Sequence, residues 1–572
     1  MTNKQIKALK DRLWEGADQL RANSGLKYTE YATPILGLIF LRFAESKYRK
    51  FEPKILAEHQ KKKGTRTERP IHEIAVETCG YYLPNEARFD YLLNFPESAN
   101  LAEKTKKAME KIEKYTPELA DTLPKDVYHS VNSEDDPLVL AKLFKVFKDI
   151  PTDVNLDIFG EIYEFFLGKF ALAEGQGGGE FFTPSTVVQY MVEVLAPTEG
   201  KIFDPACGSG GMFVQTAHYI ARHNSKGNNI NLRAYGTEKT GATVKLAKMN
   251  LVLNNVRGSI TEANSYYRDP YDCLGRFDYV MANPPFNVDE VELDLVKPHK
   301  RFNTYGVPQN KTKKAKGDAK ETVPNANYLW INLFATSLKE TGRAALVMAN
   351  SASDAGNSEK DIRTKLIESG IISQMVTLPS NMFTSVTLPA TLWFFDRAKQ
   401  RKDEILFIDA RNIFTQIDRA HRKFSNEQVK NLAVISRLYE GNKEALRTLI
   451  DEYKTELANA PKTSGDEDTK PKAYWQEQID WLTTRFPKGK YTDVVGLCKA
   501  AKLNGEDGII DQDYSLNPGR YVGVVIEDDG MTEKEFKAEM RGLYEELEGL
   551  NKEARRLEKD IAGNLREVVG EI

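Results

Sequence analysis

The chain has 572 residues, enough for two or three domains, and its 41% hydrophobic and 10% aromatic content supplies the apolar surface that folded cores need. Its formal net charge of −3 is unlike that of a free-standing nucleic-acid binder, whose basic excess displaces counterions from phosphates, so any DNA contact has to be local or shared with a partner. Four scattered cysteines, Cys79, Cys207, Cys273 and Cys498, form no C-x-x-C pair and fit a reducing cytoplasm better than a disulfide framework. The opening residues are charged where a signal peptide is apolar, and the most apolar run, Ile35 to Phe43, is too short for a bilayer, so neither targeting nor membrane anchoring is expected.

From Ile6 to Phe147 apolar residues recur three and four apart, as at Ile6, Leu9, Leu13 and Leu20, which predicts a helical N-terminal domain over 1–150. Beyond Pro151 short apolar runs alternate with helical segments, the pattern of a doubly wound α/β fold. Seven strands are predicted around Lys201 to Phe203, Ala234 to Gly236, Tyr279 to Ala282, Ala344 to Met348, Ile371 to Leu378, Thr391 to Phe395 and Ile405 to Ile408. The last three follow closely, so an antiparallel hairpin is expected to close the sheet of this 151–425 domain. A helical and irregular extension follows over 426–530, containing a linker-like segment, Pro461 to Lys472, expected to be a mobile loop. A coiled-coil-like helix is expected over 531–572: Thr532 and Glu535 form a capping box, and Phe536, Met540, Leu543, Leu547, Leu550, Ala554, Leu557 and Ile561 make a heptad seam. Packing on its own domain and docking on a helical partner account for that seam equally well.

Two constellations carry chemistry. The first is Asp204-Pro205-Ala206-Cys207-Gly208-Ser209-Gly210-Gly211, between a predicted strand and the helical segment Met212 to Arg222. Ligands bind at such strand-to-helix turns, where glycines admit close approach, although many turns need glycine only for positive φ. Neither G-x-G-x-x-G nor G-x-x-x-x-G-K-[ST] is present, which leaves NAD binding and ATP hydrolysis unsupported. The next strand ends in Glu238, placed to accept both ribose hydroxyls unless it is a solvated surface acid. The second constellation is Asn283-Pro284-Pro285-Phe286, where two prolines stiffen the turn and expose carbonyl oxygens. The Asn283 side-chain oxygen and the Pro284 carbonyl are placed to accept the two hydrogens of an amine while Phe286 stacks on a base; the plainer alternative is an ordinary turn beside a core phenylalanine.

Together, D-P-A-C-G-S-G-G followed by N-P-P-F resembles the amino-group DNA methyltransferases, and the wider chain resembles the modification subunit of type I restriction systems. The likeness extends to Trp14-Glu15-Gly16-Ala17, Leu38 to Phe43, Glu180-Phe181-Phe182-Thr183-Pro184-Ser185, Asn325 to Trp330, Gly342 to Ala352 and Asp513 to Val522. It implies an S-adenosylmethionine-dependent methyltransferase fold, Rossmann-like and seven-stranded, with an N-terminal helical domain and a C-terminal helix. The cofactor contacts it implies are Glu180, Phe181, Phe182, Thr183, Pro184, Ser185, Asp204, Ala206, Gly208, Ser209, Gly210, Gly211 and Glu238, with Asn264 and Ser265 at the adenine contact, where many relatives carry an acid. Asn283, Pro284, Pro285 and Phe286 are the implied catalytic residues.

The implied reaction is methylation of the 6-amino group of adenine in double-stranded DNA. The base is flipped out, the two acceptors favour a pyramidal nitrogen, and its lone pair attacks the sulfonium methyl without a metal. The covalent route to 5-methylcytosine needs a Pro-Cys nucleophile, and none of the cysteines follows a proline. Methylation of the cytosine 4-amino group uses the same turn chemistry and stays as an alternative, as does a catalytically inactive scaffold. The resemblance also implies a specificity subunit serving two modification subunits, and a restriction subunit in the full complex. The basic segment Lys297 to Lys320 reads either as a solvated loop or as a phosphate contact beside the base-binding turn.

Overall fold

A computed structural model of the chain describes residues 3–96, 99–152, 162–163, 165–170, 183–223, 231–309, 321–383, 389–418, 421–463, 469–525 and 532–569. The chain forms two compact units, Met1–Gly523 and Val524–Ile572.

The first unit begins with helices. In Asn3–Arg21 the spacing of Ile6, Leu9, Leu13 and Ala17 puts them on one buried face. Helix Tyr28–Lys62 is apolar on all sides from Ile35 to Leu41 and lies inside this core. Among the described residues no helix is long and apolar enough to cross a membrane. A buried charge must be paired, and Arg42 is: its guanidinium donates to the Lys148 and Ile150 carbonyls at 3.0 and 2.8 Å, at the end of helix Val139–Lys148, and meets Asp90 at 2.8 Å.

The same unit contains strands β1 (Gly200–Asp204), β2 (Leu232–Glu238), β3 (Arg257–Glu262), β4 (Phe277–Ala282), β5 (Leu338–Ala349), β6 (Ile372–Thr377), β7 (Ala390–Asp396), β8 (Glu404–Asp409), β9 (Thr415–Gln416), β10 (Arg422–Lys423) and β11 (Cys498–Lys502). Nine form one sheet in the order β11-β8-β6-β7-β5-β4-β1-β2-β3, and β9 and β10 pair separately. All seven predicted strands are present. The two additions to the sheet, β3 and β11, are edge strands with few buried residues, so neither carries the apolar run by which an inner strand is recognised. The expected antiparallel pair is β6 with β7, but it does not close the sheet. Instead β7 lies between β5 and β6, antiparallel to both, while β8 runs parallel to β6 and β11 forms the edge.

Both faces of the sheet are covered, as the alternation in β5 shows: Ala345 and Val347 enter one core, Ala344, Leu346 and Met348 the other. Helices Ser185–Leu195, Gly211–His223 and Asn426–Tyr439 cover the first face, and Asn327–Ser337 and Asn357–Glu368 the second. Helix Asn426–Tyr439 starts at a capping box of Ser425 and Gln428, and its Arg437 pairs with Glu193 at 2.8 Å.

From β1 the chain runs outward through β2 and β3, and then β4 returns to the other side of β1. Beyond the carboxyl ends of β1 and β4 the crossovers diverge, leaving the crevice in which doubly wound sheets bind ligands.

Among its described residues the second unit holds one long helix, Glu533–Val569. Its expected capping box is present: Thr532 N–H donates to Glu535 at 2.8 Å and Glu535 N–H to the Thr532 hydroxyl at 3.3 Å. The seam is exposed, with Leu547 at 55% and Leu550 at 57%.

Candidate active site

The turn after β1 is built from glycine. Ile202 and Phe203 anchor the strand in opposite cores, and the chain leaves through the buried Asp204, whose carboxylate accepts the Ala206 N–H at 2.9 Å. Gly208 and Gly210 have φ of 51° and 81°, the left-handed region that side chains disfavour. At Gly210 a Cβ would also come within 2.9 Å of Leu251. Glu238, ending the adjacent β2, supports this turn by accepting the Gly208 N–H at 3.2 Å and that of Thr240 at 3.0 Å. Burial pushes the Asp204 carboxyl well above the usual carboxylate range, the Ala206 N–H opposes that rise, and the negative charge of Glu238 adds to it.

The turn after β4 is built from proline. Because β1 and β4 are parallel neighbours, with Phe203 opposite Val280, Asn283 emerges beside the glycine turn. Its amide nitrogen donates to the Thr183 hydroxyl at 2.9 Å, which orients the side chain with its oxygen as the acceptor end. Phe286 is half-buried between the two cores. Three further amides brace the turn. Asn287, at φ 54°, donates its N–H to Asn327 at 2.8 Å, and its side-chain oxygen accepts from Asn325 at 3.0 Å and Asn327 at 2.9 Å.

The two turns open into one cleft of about 120 Å³, lined by Asp204, Ala206, Gly208, Ser209 and Gly211 from the first and Asn283 from the second. Thr183 and Ser185 complete its rim, and Pro184 precedes helix Ser185–Leu195, accepting the Val187 and Val188 N–H groups. Glu180, Phe181 and Phe182 lie outside the described residues. Glu238, Gly210, Asn264 and Ser265 are not among the residues that line the cleft. The Asn264 carboxamide accepts the Tyr266 N–H at 3.0 Å, and the Ser265 hydroxyl donates to the Pro205 carbonyl at 2.6 Å, tying the exit of β3 to the glycine turn.

Sequence reasoning missed Cys207, Val188, Met212, Gln215 and Asn250 in the lining, together with the bracing roles of Asn287, Asn325 and Asn327. Asn250 had a signal: it is an uncharged amide inside the apolar helix Gly241–Leu253, and its amide nitrogen holds the Ser209 carbonyl at 3.0 Å. In the basic segment, residues 310–320 lie outside the described chain. Arg301 is buried there and serves as an internal brace, donating to the Ser265, Arg268 and Tyr266 carbonyls. A larger cavity of about 370 Å³ adjoins the braces, lined in part by Asn325, Asn327, Ser351 and Glu359.

A doubly wound sheet with a glycine turn and a proline turn meeting at its switch point is the frame on which α/β enzymes bind adenosine-containing cofactors. Residues 154–452 match the N-6 DNA Methylase family model and residues 9–150 the HsdM N-terminal domain model. The chain is 33% identical over 567 residues to the type I restriction enzyme MjaIX methylase subunit of Methanocaldococcus jannaschii, covering 96% of this chain and 90% of that protein. It is 31% identical over 509 residues to the HindI methylase subunit of Haemophilus influenzae, covering 86% and 97%. The crystal structure of a type I restriction-modification methyltransferase subunit from Streptococcus thermophilus shares the fold, with a TM-score of 0.64 at 19% identity over 91% of this chain and 100% of that one. The chain therefore belongs to the N-6 DNA methylase family and, within it, to the methylase subunits of type I restriction enzymes.

Proposed function

We propose that this chain transfers a methyl group from S-adenosylmethionine to the 6-amino group of a flipped adenine in double-stranded DNA, as the modification subunit of a cytoplasmic type I restriction complex. The observation that carries the reading is the single cleft shared by the glycine turn and Asn283. The cleft suits the cofactor: at Gly208 and Gly211, both in its lining, a Cβ would meet no protein atom, so the space a side chain would take is kept for a ligand. Asp204, buried with a reluctant carboxylate, is suited to a cationic or hydrogen-bonding group. Thr183, Ser185, Asp204, Ala206 and Ser209 would hold the cofactor, with Glu238 bonded to the loop at Gly208. When bound, S-adenosylmethionine supplies an electrophilic methyl group.

The chain's own residues prepare the nucleophile. The Asn283 oxygen and the Pro284 carbonyl accept the two amine hydrogens, drawing the nitrogen lone pair out of conjugation with the ring. Fixed acceptors of this kind stabilise the positive charge that develops on nitrogen and need no reorganisation during the reaction. Phe286 stacks on the extruded base and offsets part of the few kcal/mol that unstacking costs.

The mildly acidic chain suits delegation of sequence reading to a specificity subunit, with two modification subunits to one of the latter and a restriction subunit in the complete enzyme. The exposed seam of helix Glu533–Val569 supports docking there: several leucines at about 1.5 to 3 kcal/mol each suffice for a stable complex after association costs. Radiolabelled methyl transfer to DNA, with and without the co-expressed specificity subunit, tests the reading. 6-Methyladenine formed only with the partner supports it, whereas 4-methylcytosine or no labelled base overturns it. Deleting Thr532 to Ile572 is expected to abolish co-purification with the specificity subunit while cofactor affinity stays unchanged. Normal assembly of the truncated chain would assign the seam to some other contact.

A further inference from the structure

Helix Gly241–Leu253 belongs to two cores. Val244, Ala247 and Leu251 pack with the sheet, whereas Met249, Val252 and Leu253 pack with the N-terminal helices. Its sheet-side face is the floor of the glycine turn: Leu251 and Ala247 lie against Gly210, and Asn250 lines the cleft while holding the Ser209 carbonyl at 3.0 Å.

The far end of this helix is held from the N-terminal domain. A helix terminates in carbonyls that have no partner within the helix. Here those of Asn250, Leu251 and Val252 accept backbone N–H groups of the following turn. The carbonyl of Leu253 instead accepts the ammonium of Lys47, 206 residues earlier, at 2.5 Å. Lys47 is 4% exposed, with its ammonium 5.5 Å from the centre of the Tyr81 ring. Burial lowers its pKa to about 8, so its bond to the carbonyl replaces water the amine has given up. A second contact comes from Gly80, at φ 97°, where a Cβ would lie 3.0 Å from the Val252 carbonyl, so a side chain there would strain the backbone and crowd the helix end.

We propose that Lys47 is a positioning residue for the methyl-transfer site: from the N-terminal domain it fixes the end of helix Gly241–Leu253 and, through Asn250, the Ser209 carbonyl of the cofactor loop. The inference rests on the assignment of that loop to S-adenosylmethionine. Lys47 touches neither cofactor nor base. Its effect is on the pose of the loop, so the N-terminal domain contributes to cofactor affinity without entering the cleft.

The test is a double-mutant cycle in the full-length chain, with S-adenosylmethionine affinity measured by calorimetry and folding followed by thermal melting. Lys47→Met, of similar length and without a donor, is expected to weaken cofactor binding about fivefold or more. Asn250→Ala is expected to weaken it as well, and the double variant to be no weaker than Asn250→Ala alone, because both act through one connection. A merely structural Lys47 would lower the melting temperature and leave affinity unchanged, or give effects that add; either outcome overturns the proposal. If Lys47→Met does not melt cooperatively, hydrogen exchange in the unmodified chain decides: cofactor binding is expected to slow exchange at 250–256, and unchanged exchange there overturns the proposal. Failure of the unmodified chain to bind S-adenosylmethionine would refute the cofactor assignment itself, whereas loss on Asn250→Ala without any effect of Lys47→Met refutes only the role of Lys47.

Discussion

The turns after β1 and β4 leave adjacent parallel strands at the same edge of the sheet, yet they are built on opposite principles. The first gets its shape from glycines in the left-handed region and is supported by Glu238, a neighbour on the next strand. The second is stiffened by two prolines and held by Asn325 and Asn327, about forty residues onward, through Asn287. A surface that must follow a cofactor closely needs backbone without side chains. Acceptors that must meet a developing charge need a backbone that does not move. The bond from Asn283 to Thr183 ties the second turn to the segment ahead of helix Ser185–Leu195, which also lines the cleft.

The largest expected effect comes from removing the acceptor of the rigid turn: Asn283→Ala should lower the methylation rate by roughly 10²-fold or more with cofactor affinity intact, by analogy with deleting one preorganised polar contact. Loss of cofactor binding in a folded variant would show that the two turns do not divide the work. Next is Asn327→Ala, which removes the buried side chain that accepts the Asn287 N–H and donates to the Asn287 oxygen, at about 0.5–1.5 kcal/mol per hydrogen bond. A lower melting temperature and a slower rate are expected, with little change in affinity for S-adenosylmethionine; an unchanged rate would mean that the prolines alone hold the turn. On the glycine side, Glu238→Ala should weaken cofactor binding about tenfold, the equivalent of about 1.4 kcal/mol for a charge-assisted hydrogen bond, while the fold melts nearly as before. Unchanged affinity would remove Glu238 from the binding apparatus.

The smallest effect is a dependence on pH. Glu359, in the cavity wall beside the braces, has its pKa raised by burial from 4.5 to about 7, although Arg363 draws it down. The folded chain therefore holds a proton that the unfolded chain releases earlier. Its contribution is full below about pH 4.5 and is lost as pH rises through about 7. Glu359→Gln should flatten stability against pH across that window in chemical denaturation, and an unaltered slope would place the titration on another group.

Much of this protein was determined by local sequence. Inner strands announce themselves because residues buried on both faces must be apolar, and all seven predicted ones are in the sheet. The two turns were visible because glycine and proline restrict or release the backbone wherever they stand, and the capping box of Thr532 and Glu535 spans only four residues. Tertiary structure alone decided the rest. The placement of β7 between β5 and β6, and the edge strands β3 and β11, depend on pairings between distant segments and leave little trace in hydrophobic pattern. The polar contacts are less legible still: an asparagine such as Asn287 or Asn327 has the same composition signature in a solvated loop as at a cleft. Only the folded chain brings Thr183 to Asn283, 100 residues away, or Lys47 to Leu253, 206 away, because a hydrogen bond is specified by position in space and a side chain carries no record of its partner.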